Sequence, residues 1–427
     1  MDYLILPPAR EVRGTVLAPP SKSGTNRALV LGVLSPRVVH VVRPLDSEDT
    51  RALIRCLAAM GASVQPEPGG LALSGPLGVP PEREVHLDAG ESGTAARFLA
   101  ALCAVTRGKF LLTGAPRLRE RPMTPLVTAL SSGGARISYR GAPGLLPLAI
   151  EGVTLSSRSV AVDAAQSSQF VSALLLAGAA SEQPLAVRTE GPVASSPYVS
   201  TTLESLRAFG HAVEIGSDGT LVVRPGRETV DRYEVTGDYS SALPLLAAAG
   251  VAGGQVFVEG VVWPSADADA LAFARLKEFG LEIEAGPQRI RAARTGDLKP
   301  VRLRATDFPD AVPTLAALAS FSPGLSRFEG IGHLRWKESD RIEALVRLLE
   351  SAGIRARGEA EAISIEGISS PIGPGGVRRL PTFGDHRIAM AGALLSLRIS
   401  DLAIERPSCV AKSYPGFYRD LESLVQR

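Results

Sequence analysis

Hydrophobic and polar positions along the chain fall into two recurring classes of segment. The first class opens on Ser or Asp and runs at once into an apolar stretch with no polar stripe. It begins at Ser23 (SGTNRALVLGVL), Ser92 (SGTAARFLAALCA), Ser167 (SSQFVSALLLAGAA), Ser240 (SSALPLLAAAGVA), Asp310 (DAVPTLAALAS) and Asp385 (DHRIAMAGALLSL), at intervals of 69 to 75 residues. Ser and Asp oxygens accept the orphan amide protons of a first helical turn, so each start predicts a capped helix. Apolar residues on every side predict burial all round. The second class is amphipathic, ends in Gly and is followed by alternation: DTRALIRCLAAMGASV, TPLVTALSSGGARI, VSTTLESLRAFGHAVEI, ALAFARLKEFGLEIE and DRIEALVRLLESAGIRAR. Its glycines, Gly61, Gly134, Gly210, Gly280 and Gly353, stand 70 to 76 residues apart. They predict left-handed helix caps, each leading into a half-exposed strand. A sixth copy, PGFYRDLESLVQ, is expected to lack its strand.

Two classes sharing one period describe six α/β units of about 70 residues, each with a buried helix, an exposed helix and several short strands. Six units divide into two domains of three. The expected hinges lie near Pro19-Pro20 and near Val235 to Asp238, giving one lobe of residues 1–20 plus 235–427 and another of 21–234, with a cleft between them.

Composition narrows the function classes. The 427 residues are 45% hydrophobic and 21% charged, as in an ordinary globular protein. A net charge of +2 and 5% aromatics argue against a nucleic-acid binder. Cys56, Cys103 and Cys409 form no CxxC pair, so neither a disulfide framework nor a metal site is expected, and the compartment expected is the cytoplasm. The start, MDYLILPP, is not a secretory signal, and stretches such as Val171 to Ala180 are too short to span a bilayer.

Helix N-termini attract phosphate and carboxylate through free amide protons and the positive dipole end. Repeated buried helices around one axis can aim three such ends at one place. Basic residues gather at these starts and in turn-bracketed loops: Lys22 and Arg27, Arg97, His386 and Arg387, Arg121 (ERPMTP), Lys337 and Arg341 (WKESDR), and Lys412 (VAKSYPG). Singly each reads as a solvated charge; together they read as a binder of several anionic groups. Two acids stand among them. Asp310 and Glu338 read either as ionised bases in a cationic cleft or, respectively, as an N-cap and as a favoured first-turn Glu.

The pieces PPSKSGTNRALVL, ESGTAARFLAAL, RERPMTPL, SSQFVSALLLAG, SSPY, DFPDAVPTLAALA, LRWKESDRI, GDHRIAM and VAKSYPGF resemble, in order and over essentially the whole chain, the 5-enolpyruvylshikimate-3-phosphate synthase family. The resemblance implies two domains of three βαβαββ units each, an inside-out α/β barrel closing over substrate. It implies transfer of enolpyruvyl from phosphoenolpyruvate to the 5-hydroxyl of shikimate 3-phosphate, with phosphate released, by a monomer that needs no metal or cofactor and binds neither nucleic acid nor membrane. By the same resemblance Lys22, Ser23, Arg27, Ser167, Ser168, Gln169, Ser195, Asp310 and Lys337 hold shikimate 3-phosphate. Lys22, Gly93, Arg121, Gln169, Arg341, Arg387 and Lys412 hold phosphoenolpyruvate. Asp310 accepts the hydroxyl proton, Glu338 exchanges the proton at the methylene carbon, and Lys22 completes the catalytic set. Departures from the family pattern are Glu91 for Asn, Phe98 after Arg97, Gly24 for a larger apolar residue, and His333 for Asn.

Three other readings compete. A sister enolpyruvyl transferase acting on UDP-N-acetylglucosamine would carry a Cys in the loop at Thr113–Arg117, and no Cys lies between Phe110 and Met123. A non-catalytic two-domain anion binder has no use for Asp310 and Glu338 together. An RNA-phosphate-processing enzyme would want a stronger basic surface and a catalytic His.

Overall fold

The computed structural model describes residues 2–80, 82–226, 230–263, 265, 269–370, 372 and 375–426. One module recurs throughout. In the clearest copy, strand Glu84–Asp88 leads into the buried helix Gly93–Val105, which returns as the parallel strand Gly108–Thr113. The outer helix Thr124–Ser132 and the antiparallel strands Arg136–Tyr139 and Leu148–Gly152 complete it. Strand order in the sheet is first, second, fourth, third, which is the βαβαββ pattern.

The chain divides into two compact units, Pro20–Val235 and Met1–Pro19 with Thr236–Arg427. In the first, the late strand Arg232–Glu234 pairs in parallel with Val39–Val42, so the end of the segment supplies the opening strand of its first sheet. In the second, the N-terminal segment does this work. Tyr3–Ile5 pairs antiparallel with Leu402–Glu405, and Glu11–Leu17 pairs in parallel with Gly254–Glu259. Each ring of three modules is therefore closed by a strand from the far end of its own sequence.

The apolar segments form six central helices: Lys22–Leu34, Gly93–Val105 and Gln169–Ala180 in one unit, Tyr239–Ala252, Val312–Ala319 and His386–Ser396 in the other. Within each unit the three pack on one another and the sheets lie outside them. This is an inside-out barrel. The five outer-helix glycines all take positive φ, from 79° to 103°, as a left-handed cap requires.

Several local expectations are corrected. The caps of the first and fourth central helices are Ser21 and Asp238, two residues before Ser23 and Ser240, whereas at the third, where Ser168 is the boundary residue, it is Ser167 Oγ that accepts the Gln169 N–H. Asp310 caps nothing; it sits in the short 3-10 turn Pro309–Ala311, its carboxylate drawn to cations instead. Glu338 precedes the helix Arg341–Ser351, whose cap is Asp340, so it is not a first-turn residue. The last outer helix, Phe417–Glu422, does acquire a strand: Val425–Gln426 pairs with the edge of Glu11–Leu17.

Close approach of the central helices demands small residues. A Cβ at Gly250 would lie 2.6 Å from Leu318 Cδ1 and 3.1 Å from Leu281 Cδ1. Gly250→Val is expected to lower stability by about 1–3 kcal/mol through overpacking. Denaturant unfolding checks this, and an unchanged midpoint would show that the helices are not packed this tightly.

Candidate active site

Several candidate residues stand at the N-terminal ends of the central helices, and others lie in the segments Pro407–Lys412 and Gly332–Trp336 with its cap Lys337, or open the outer helix Arg341–Ser351. In Pro20–Val235, three of them are the first residues of helices: Lys22, Gly93 and Gln169. The caps there are neutral serines, so the positive helix ends are not met by an acidic cap. Lys22 Nζ lies 3.1 Å from Asp49 Oδ2, a buried carboxylate in the first turn of the outer helix Glu48–Ala59. Gln169 Nε2 donates to Thr94 Oγ1 at 3.1 Å and ties the third helix start to the second, while its backbone N–H donates to Ser167 Oγ.

Gly93 is needed for space. A Cβ there would come within 2.6 Å of Nη1 of both Arg121 and Arg97, so a side chain would displace the two guanidinium groups from this helix end. Arg121 is buried, and Arg97 is fixed by the carbonyls of Gly93 and Pro122. Ser168 and Ser195 are also buried, and Ser195 holds the left-handed region at φ 57°, a conformation uncommon outside Gly and Asn. Arg27 is turned to the protein. Its guanidinium donates to Thr202 Oγ1 (2.8 Å), to the carbonyls of Ser23 and Tyr198, and to Ser172 Oγ, over the ring of Phe98.

In the other unit the chemistry is ionic. Asp310 Oδ1 accepts from Arg341 Nη1 at 2.8 Å and Lys337 Nζ at 3.3 Å, and Oδ2 accepts from Arg387 Nη2 at 3.0 Å. Arg341, 1% exposed, also donates to Glu338 Oε2 at 2.8 Å and to both oxygens of the fully buried Asp385. Lys412 Nζ, 2% exposed, stands 3.9 Å from Glu338 Oε1. Asp385 in turn caps the sixth helix at the Arg387 N–H and accepts from Ser339 Oγ.

Burial alone would raise the Asp310 carboxyl, but Arg387, Lys337 and Arg341 outweigh both burial and the repulsion of Glu338. They hold it well below the usual carboxylate range. The stabilisation this gives is complete above the ordinary range and is lost only as pH falls through the depressed value. The Arg341 guanidinium is desolvated, yet Asp385, Glu338 and Asp310 raise its affinity for its proton. His333 is pushed down to about 4 by burial and by Lys337 and Arg341, against the pull of Asp310, and is neutral at pH 7.

Of the family departures, Glu91 is exposed, whereas Phe98 is wholly buried beneath Arg27. Reasoning from sequence missed Asp49, which lies in the first turn of an outer helix, and the ionic role of Asp385, which reads simply as a cap.

The EPSP synthase (3-phosphoshikimate 1-carboxyvinyltransferase) family model matches residues 7–421. The 3-phosphoshikimate 1-carboxyvinyltransferase of Thermococcus kodakarensis is 40% identical over 427 residues, 99% of this chain and 100% of that one. That of Methanoculleus marisnigri is 37% identical over 406 residues, 95% of each. Among solved structures, EPSP synthase from Acinetobacter baumannii aligns with a TM-score of 0.79 at 27% identity, covering 99% of this chain and 98% of that one. The enolpyruvyl transferase NikO from Streptomyces tendae, at 19% identity over 99% and 97% of the two chains, shares the fold with a TM-score of 0.77. A match across nearly the whole chain means that the chain belongs to the EPSP synthase (3-phosphoshikimate 1-carboxyvinyltransferase) family.

Proposed function

We propose that the chain passes enolpyruvyl from phosphoenolpyruvate to the 5-hydroxyl of shikimate 3-phosphate, drawing on candidate residues of both units. The observation that carries this reading is the placing of two carboxylates, Asp310 and Glu338, among Lys337, Arg341, Arg387 and Lys412. Asp385, sealed from solvent, would serve to steady the buried cations of a passive anion binder; Asp310 and Glu338, 22% and 12% exposed, are in addition open to substrate, as a proton-transferring enzyme needs.

The two substrates bring roughly five to six negative charges, from two phosphates and two carboxylates. Lys22, Arg121, Arg341, Arg387 and Lys412, with the amides at Gly93 and the amide of Gln169, hold phosphoenolpyruvate. Lys22, Ser23, Ser167, Ser168, Gln169, Ser195 and Lys337 hold shikimate 3-phosphate. Arg27 acts there chiefly by fixing the Ser23 turn, through the bond to its carbonyl. In the addition step the 5-oxygen bonds to the central carbon of phosphoenolpyruvate, Asp310 takes the hydroxyl proton, and Glu338, entering the step as the neutral acid, gives its proton to the methylene carbon. In the elimination step the bond from that carbon to the phosphate oxygen breaks, Glu338 recovers a proton from the methyl group, and the Asp310 proton leaves with phosphate. Lys22 offsets charge on the departing group.

The caged Asp310 is a weak base in the free protein. Bound anions share Arg341, Arg387 and Lys337, weaken the cage, and raise its basicity when a hydroxyl is present to receive.

Purified protein given both substrates should release phosphate only when shikimate 3-phosphate is present. Asp310→Asn should lower the turnover by about 10²–10⁴-fold. Release that requires a UDP-sugar instead would refute the assignment. Lys22→Met should weaken both ligands in calorimetric titrations; unchanged affinities remove Lys22 from the site.

A further inference from the structure

Arg387 is carried by the sixth central helix, but its guanidinium is gripped from the fourth. Nη2 donates to Ser240 Oγ at 2.8 Å, and Nη1 approaches the Ser240 carbonyl at 3.4 Å. The hydroxyl proton of Ser240 is already committed, to Asp238 Oδ1 at 2.5 Å, which turns an oxygen lone pair toward Arg387. Asp238 is fixed in its own right. It caps the fourth helix at the Ser241 N–H, and its backbone N–H donates to the carbonyl of Pro19. The neighbouring Gly237 has no room for a side chain, since a Cβ would lie 2.5 Å from the Gly260 carbonyl oxygen. Ser240 and Asp238 are both buried. A hydrogen-bonded line thus runs from the segment where the chain enters this unit, through Asp238 and Ser240, to Arg387 and Asp310.

We infer that Ser240, oriented by Asp238, is a positioning residue for the donor substrate: two contacts from one residue set the plane of the Arg387 guanidinium and so the geometry in which it meets the anion. The inference rests on the reading of Arg387 as part of the phosphoenolpyruvate clamp. Arginine recognises carboxylate and phosphate through a planar fork, so its plane matters as much as its charge. No contact of Ser240 with substrate is required.

The test is steady-state kinetics of Ser240→Ala, Ser240→Thr and Arg387→Lys, with thermal midpoints. Ser240→Ala should raise the KM for phosphoenolpyruvate about tenfold, the worth of one charge-assisted hydrogen bond. Its KM for shikimate 3-phosphate should stay, and kcat should fall by a smaller factor than KM rises. Ser240→Thr, which keeps the hydroxyl, should recover most of the loss. If Ser240→Ala lowers the midpoint, Asp238→Asn serves as the second variant, with the same split expected. An unmoved KM for phosphoenolpyruvate, or both KM values shifting together with no recovery in Ser240→Thr, overturns the inference. Arg387→Lys separates the two ideas. If it leaves that KM unmoved, the clamp assignment itself fails; if it raises the KM while Ser240→Ala does not, only the role of Ser240 fails.

Discussion

Positive charge cannot be gathered in a place shielded from water unless something negative stays with it. Desolvating a guanidinium costs several kcal/mol, and a second one beside it adds repulsion. Buried carboxylates meet this constraint here. Asp385, fully buried, holds Arg341 and caps the helix of Arg387; Asp310 is shared by Arg341, Arg387 and Lys337; Glu338 joins Arg341 toward Lys412. Breaking one partner out of a buried pair of this kind costs about 3–5 kcal/mol, so the acids are as much part of an anion site as the bases. They also set an order of events, because an arriving anion competes with a resident one.

The two units solve this problem differently with the same module. Serines 21, 92 and 167 accept first-turn amides of the central helices of Pro20–Val235, leaving Lys22, Arg97 and Arg121 against positive helix ends. In the other unit Asp238 and Asp385 cap two of the helices, and Asp310 stands just ahead of the third. Those acids cancel the helix ends locally and instead hold arginines and supply proton acceptors.

Much of this was legible in the sequence because it depends on local rules. Apolar runs without a polar stripe, repeated every 70 or so residues, gave the central helices; Gly61, Gly134, Gly210, Gly280 and Gly353 gave the ends of the outer ones. The cap of the fourth helix was misjudged because DYSSALPLL offers three closely spaced capping candidates, Asp238, Ser240 and Ser241, and which one serves depends on long-range partners such as the Pro19 carbonyl. Ring closure by Tyr3–Ile5 and Arg232–Glu234 was invisible for the same reason: strand pairing across the whole length of a unit leaves no local trace. Asp49 and Asp385 were hidden because a carboxylate in the first turn or at the cap of a helix and one that pairs a lysine or arginine look alike until the partner is in view.

The cage around Asp310 can be measured directly by carbon-13 NMR titration of its carboxyl, assigned by comparison with Asp310→Asn. In the free protein the resonance should remain that of an ionised carboxylate well below the pH at which ordinary Asp side chains titrate. With shikimate 3-phosphate and inorganic phosphate bound, the transition should move upward as Arg341, Arg387 and Lys337 turn to the ligands. An Asp310 that titrates in the ordinary range when free, or one whose transition the two anions leave unmoved, would contradict a base held idle by its own cations.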